Sequence, residues 1–162
     1  MTVFGKHFAM AVALMAGLMI ASANPGFAKD REGWVVIETD HSFGDAVEAL
    51  NAAIKGEKMG IVTRASASAG AKGRGITIPG NMVVGIYRND FAVRMLEASI
   101  DAGIEAPIRM YLSENPNGKT RLAYRTPSTV FAPYMDEGGE KLKAMAAELD
   151  GIFDAIAKQA SK

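Results

Sequence analysis

The chain lacks cysteine altogether, and among its 162 residues it has only two histidines and one tryptophan. Without thiols the protein cannot form a disulfide, a thiolate metal site or a cysteine nucleophile, so packing alone must hold its fold together. Basic and acidic side chains balance at 18 each. Because no net charge favours a polyanionic partner, we expect neither nucleic acid nor an acidic membrane surface to be its target.

Long apolar segments are also scarce, and the one that stands out lies at the N-terminus, in residues 8–21. This run is shorter than the roughly 20 residues that cross a bilayer, and small residues follow it. We interpret residues 1–28 as a secretory signal peptide that is cleaved after Ala28, with Ala23 as the alternative position. The sequence therefore predicts a periplasmic protein. Its mature part, residues 29–162, is expected to be one domain without a stable membrane span.

Hydropathy periods divide the mature part into eight elements in the order β-α-β-β-α-β-β-α. Alternating or β-branched segments predict strands at 33–39, 59–65, 82–88, 108–113 and 120–126. Helical spacing predicts a helix after the cap Ser42, one after Asn89 or Asp90 that stops at Gly103, and one over 140–159. Glycine-rich residues 66–75 are predicted to be a loop or a short frayed turn, and the segment with Phe131, Pro133 and Tyr134 a loop.

This order is typical of an α+β fold, a two-layer sandwich in which helices pack on one face of an antiparallel or mixed curved sheet. The apolar positions of the helices should then face the sheet. We expect six of them to form the core: Val47, Leu50, Ile54, Leu96, Leu149 and Phe153.

Residues 42–127 resemble a known bacterial family, domain-of-unknown-function family 302. The segments that carry the resemblance are SFGDAVEALNAAIKGEKMGIV, MVVGIYRNDFAVRML, APIRMYLSE and RLAYRTP. The family's closing hairpin tends to end in a tyrosine and a proline, which here would be Tyr124 and Pro127. The chain departs from the family after Gly85, where a Gly-Asn-Pro step is common. The resemblance implies a curved antiparallel sheet with helices on one face, and it implies no catalytic residue.

The hairpin formed by the last two strands presents the most distinctive surface. Strand alternation separates an apolar set from Arg109, Tyr111, Arg121 and Arg125, and it extends this polar face to Tyr87 on the central strand. Arginine and tyrosine with few acids are typical of contact surfaces. Three interpretations stay open for this face: an ordinary solvated surface, a homodimer interface, or a binding site for a small anionic ligand.

A second candidate for anion binding is the glycine-rich segment around Lys72, Gly73 and Arg74. Two cations on a flexible backbone are suited to holding a phosphate or carboxylate, with backbone N–H groups as further donors. The alternative is a plain mobile loop, which the sequence favours.

No catalytic site emerges from the sequence, and we predict no cofactor and no metal. The favoured function is a non-catalytic periplasmic module that binds a small ligand or serves as an accessory. One alternative is an enzyme that uses acid-base chemistry at Asp40, Glu38 or Tyr124. The other is a metal or haem carrier, suggested by export, by the methionines and by His41. The enzyme question therefore stays open, with the balance against catalysis.

Overall fold

The computed structural model describes residues 31–162, and the predicted signal peptide lies outside these residues. The five strands are β1 Trp34–Glu38, β2 Gly60–Ala65, β3 Asn81–Tyr87, β4 Ile108–Glu114 and β5 Thr120–Arg125. The five helices are α1 Phe43–Gly56, α2 Ala67–Lys72, α3 Asn89–Ala98, α4 Pro127–Phe131 and α5 Met135–Ala160. Two 3-10 segments, Asp101–Glu105 and Ala132–Tyr134, complete the elements of residues 31–162.

All five strands join one antiparallel sheet in the order β1-β5-β4-β3-β2. The predicted β4–β5 hairpin turns at Asn115, whose N–H donates to Lys119 O at 2.7 Å, and Gly118 adopts the expected left-handed conformation with φ 77°. The predicted α+β architecture is therefore confirmed, and the sheet is purely antiparallel.

Helices α1, α3 and α5 cover one face of this sheet, and α5 contacts both of the others. The core lies between the two layers, where side chains of β3, β4 and β5 meet the apolar stripes of the helices. Leu50, Ile54, Leu149 and Phe153 are buried there as predicted, while Val47 is half-buried at the margin.

Helix α1 begins where the sequence indicates. The Ser42 hydroxyl accepts the Asp45 N–H at 3.3 Å and donates to the Asp45 carboxylate at 2.7 Å, which satisfies a backbone donor at the helix start. The helix ends at Gly56, and Lys58 then takes a left-handed conformation with φ 56° that leads into β2.

The predicted loop at 66–75 is wrong in part, because residues 67–72 form the short helix α2. Its first N–H groups are satisfied from two directions: Ser66 Oγ accepts from Ala69 N at 3.1 Å, and Asn81 Oδ1 accepts from Ala67 N at 2.9 Å. Alanine favours helix once the end is capped. Ser66 is a local cap, whereas the amide of Asn81 comes from β3, so the local sequence contains only one of the two caps.

The prediction for α3 is wrong at its end and in one core residue. The helix stops at Ala98 rather than continuing to Gly103, and residues 101–105 form a 3-10 segment. Leu96, expected in the core, is 47% exposed, because α3 turns Phe91, Ala92 and Met95 towards α5 and the sheet instead. From helical spacing alone, the centre of the buried face of α3 could not be placed more accurately than to about one residue.

The second predicted loop is also largely helical. Thr126 Oγ1 accepts the Thr129 N–H at 3.4 Å, and Pro127 occupies the first turn of α4, where its missing N–H is harmless. Residues 132–134 continue as a 3-10 segment into α5, which begins at Met135 and is broken at Gly139 by φ 54°. The regular part of α5 after this break corresponds to the predicted helix at 140–159.

Candidate functional site

The face of the sheet opposite the helices is built by strand alternation. In β4, Ile108, Met110 and Leu112 enter the core, so Arg109 and Tyr111 lie on the other face. The strand pairings place the residues of this second face next to one another across the sheet. Tyr111 lies between Val83 of β3 and Ala123 of β5, and Arg125 lies beside Trp34 of β1. The predicted placement of Arg109, Tyr111, Arg121 and Arg125 on one face agrees with these registers.

A concave region of about 460 Å³ opens on this face, and we call it the outer-face groove. The 3-10 segment Asp101–Glu105 and helix α4 contribute to its walls through Glu105 and Val130. Its lining combines three aromatic side chains, two guanidinium groups and one carboxylate with apolar side chains; it comprises Trp34, Val83, Glu105, Ile108, Arg109, Tyr111, Ala123, Tyr124, Arg125 and Val130. A cleft with apolar walls and a few charged groups is typical of small-molecule sites.

Arg109 and Arg125 are the cationic groups of the groove. Met110–Tyr124 is the last pair of the β4–β5 register at this end, and Arg109 and Arg125 are the next residues on the two strands. Within residues 31–162 neither guanidinium has an ion pair. Arg125 Nη2 donates to Thr129 O at 3.3 Å, and Arg109 is exposed without a hydrogen bond among these residues. Like charges on neighbouring strands repel each other.

Arg121 shares the face but is already engaged. Its Nε donates to Glu38 Oε1 at 2.6 Å, and the other Glu38 oxygen accepts from Asn115 Nδ2 at 2.7 Å. The Arg121 side chain is only 15% exposed and does not line the groove. The expectation that this face has few acids is therefore wrong at Glu38, which the β1–β5 register places opposite Arg121.

Gly85 of β3 lies on the same face of the sheet and pairs with Arg109, although it does not line the groove. A Cβ atom at Gly85 would lie 2.2 Å from Thr63 Oγ1 and 2.8 Å from Pro107 Cγ, so no larger residue fits without displacing these neighbours. Tyr87 follows two residues later on the same face, but it does not line the groove. Its hydroxyl lies 3.4 Å from Asn89 Oδ1, at the far end of the strand.

Residues 35–158 match the family described as Domain of unknown function DUF302. The chain belongs to the DUF302 family. The resemblance seen in the sequence is thereby confirmed. The fold also matches the crystal structure of an uncharacterized conserved DUF302 protein from Bacillus stearothermophilus, with a TM-score of 0.69 and 17% identity over 80% of this chain and 99% of that one.

Two curated relatives of this DUF302 chain come from Brucella. They are the proteins named fluoride-specific ion channel FluC 1 of Brucella suis biovar 1 (strain 1330) and of Brucella abortus biovar 1 (strain 9-941). Each is 27% identical over 96 residues, which are 59% of this chain but 38% and 36% of the respective relatives. The chain thus spans little more than a third of these proteins.

The cations of the second candidate site in this DUF302 protein line two neighbouring depressions. Lys72 ends α2 and lines one with Ser66 and Ser68, and Arg74 lines the other; Ile76 and Ile78 line both.

The backbone N–H groups of residues 73–75 already donate hydrogen bonds within the segment. The N–H groups of Gly73, Arg74 and Gly75 donate to Ala69 O, Ala71 O and Lys72 O at 3.3, 2.9 and 3.0 Å. An anion bound at Lys72 and Arg74 would therefore meet side-chain donors without the backbone cradle that the sequence suggested.

The three candidate acid-base residues have other contacts. Glu38 is paired with Arg121, and Asp40 is paired with Lys119, which holds the pKa of the Asp40 carboxyl below its usual range. Tyr124 is buried against Phe153, with ring centroids 5.8 Å apart. Burial, and next the charges of Asp154 and Asp150, raise the pKa of Tyr124 to about 12. Such a phenol is a poor proton donor or acceptor near neutral pH.

Metal ligation has little support in the part of the chain that the structure describes. Between Arg31 and Lys162 no three His, Asp or Glu side chains converge in a group able to hold a metal ion. The His41 backbone N–H donates to Thr39 Oγ1 at 3.3 Å, and Met59, Met95 and Met145 are buried in the core. These thioethers are accounted for by core packing.

Sequence reasoning missed Glu105, the one carboxylate that lines the outer-face groove. It lies in the 3-10 segment Asp101–Glu105, which the sequence analysis had treated as the region where a helix stops. Its Oε1 accepts a hydrogen bond from Tyr134 Oη at 3.1 Å, from a residue 29 positions later. A signal was available only in part: Glu105 directly precedes Ala106-Pro107 and the start of β4, four residues before Arg109.

Proposed function

We propose that this DUF302 protein is an exported, non-catalytic module of the periplasm that binds a small organic anion in the outer-face groove. The observation that carries the proposal is the pair Arg109 and Arg125, two guanidinium groups that line one groove and have no ion pair among residues 31–162. A bound carboxylate or similar oxyanion would relieve their repulsion and form charge-assisted hydrogen bonds. Trp34 and Tyr111 line the same groove and give it aromatic walls.

Trp34 provides the measurement, because it is the chain's only tryptophan and it lines the groove. Benzoate, an aromatic anion, should change the Trp34 fluorescence with a saturable dependence on concentration. Benzamide has nearly the same shape without the charge and serves as the matched control. Equal responses to the two compounds, or no response to either, would count against an anion site.

Fluoride is the inorganic anion to include, since the Brucella relatives are named fluoride-specific ion channels. A groove of about 460 Å³ with aromatic walls is far larger than this ion, so we expect sodium fluoride to leave Trp34 unchanged. A saturable response to fluoride, absent with sodium chloride, would instead favour a halide-binding accessory role.

Export is a separate part of the proposal and rests on the N-terminal sequence. Within residues 31–162 no helix is long and apolar enough to cross a membrane, so the described part offers no anchor of that type. We expect the mature protein to begin at Lys29. N-terminal sequencing of the protein from a periplasmic fraction tests this. An intact Met1 on protein recovered from the cytoplasm would contradict it.

A further inference from the structure

Glu105 adds a negative wall to the cationic groove. Its carboxylate is half-buried and lines the same cleft as Arg109 and Arg125. Tyr134 Oη donates to Glu105 Oε1 at 3.1 Å, and within residues 31–162 the second carboxylate oxygen has no hydrogen bond. Burial raises the pKa of Tyr134, and the hydrogen bond to Glu105 raises it further, so the phenol stays protonated and keeps donating. One oxygen of Glu105 is thus occupied and the other is available.

The charges that line the groove add up to one positive unit, two guanidinium groups against one carboxylate. This balance suits a ligand with a single negative charge. A second negative charge placed near Glu105 would be repelled, because like charges in a partly desolvated cleft interact strongly. An ionised carboxylate only accepts hydrogen bonds, so a ligand group beside Glu105 must be a donor.

Resting on the anion-binding function proposed above, we propose that Glu105 is a specificity residue that selects monoanions carrying a hydroxyl or amine donor. In this arrangement the ligand's acidic group lies against Arg109 and Arg125, and its donor reaches the available oxygen of Glu105. A site built to hydrogen-bond a donor rejects an analogue that lacks it, because the partly buried acceptor is then left without a partner.

The test compares three classes of probe through Trp34 fluorescence. Benzoate is the plain monoanion, 3-hydroxybenzoate and 4-hydroxybenzoate add a donor at two positions, and terephthalate adds a second negative charge. At least one hydroxybenzoate should bind the wild-type protein about five- to tenfold more tightly than benzoate, the effect of one hydrogen bond. Terephthalate should bind more weakly than benzoate.

Replacing Glu105→Leu removes the acceptor and should abolish the preference for the hydroxybenzoate over benzoate, so that the two compounds bind with equal affinity. Tyr134→Phe is the matched control, since it removes the partner of Oε1 but keeps the carboxylate, and it should retain the preference. Glu105→Gln keeps the shape of the side chain and removes the charge, so it should gain affinity for terephthalate. This second variant keeps the test decisive if Glu105→Leu does not fold.

The results distinguish a failure of the role of Glu105 from a failure of the anion site itself. If wild-type protein binds benzoate and both hydroxybenzoates equally, and terephthalate no more weakly, the role of Glu105 is overturned while the anion site stands. If none of these aromatic anions alters Trp34, both the anion site and the role of Glu105 are overturned.

Discussion

Leu50→Ala should lower the free energy of unfolding by about 2–5 kcal/mol, the range typical of deleting a buried leucine side chain. Leu50 is 1% exposed on α1 and belongs to the cluster between the helical layer and the sheet. Truncation removes apolar contacts and leaves a cavity that close-packed neighbours fill only partly. Leu149→Ala on α5, where the side chain is 4% exposed, should behave in the same way.

Leu96→Ala is the matched control, because the same atoms are deleted from a side chain that is 47% exposed. We expect it to lower the free energy of unfolding by less than about 1 kcal/mol. Urea denaturation followed by circular dichroism measures all three variants, with equal slopes required for the comparison. Similar losses at Leu50 and Leu96 would show that the helices pack with a different face towards the sheet.

The double variant Arg109→Gln, Arg125→Gln should lose benzoate affinity by at least about tenfold. Each guanidinium offers a charge-assisted hydrogen bond, typically about 1.5–3 kcal/mol, and glutamine keeps a shorter polar side chain without the charge. The melting temperature should stay unchanged or rise slightly, because the repulsion between neighbouring like charges is removed. Binding is measured through Trp34, and stability by thermal unfolding without ligand.

Arg121→Gln is the matched control and should show the reverse pattern. Arg121 is bonded to Glu38 and lies outside the groove, so its loss should leave benzoate binding intact. It should lower the free energy of unfolding by about 1 kcal/mol or less, since Glu38 is 45% exposed and such pairs contribute little. If Arg121→Gln weakens benzoate binding as much as the double variant, the anion lies elsewhere on the face.

Local periodicity was enough to predict the strands and the face on which each side chain lies. Because successive side chains of a strand alternate, Arg109 and Tyr111 had to share one side of β4 whatever its partners were. The N-terminal cap of α1 could be predicted for a similar reason. Ser42 satisfies an N–H group only three residues away, so the start of α1 depends on neighbours in the sequence.

Other elements depended on contacts that are distant in the sequence. Helix α2 forms where a loop was predicted, because Asn81 of β3 caps its first N–H group. Leu96 is exposed although it follows the apolar period of α3, because the docking of that helix against α5 selects which flank of the stripe is buried.

The candidate site also combines features that the sequence predicts with features that depend on the fold. By itself the sequence determined the α+β fold, the family and the face that carries the three arginines, since these follow from patterns within single strands and helices. Only the tertiary structure decided that Glu38 engages Arg121, that Arg109 and Arg125 stay together in a groove, and that Glu105 joins them. These are decided by strand register and by the packing of a 3-10 segment, both of which join residues far apart in the chain.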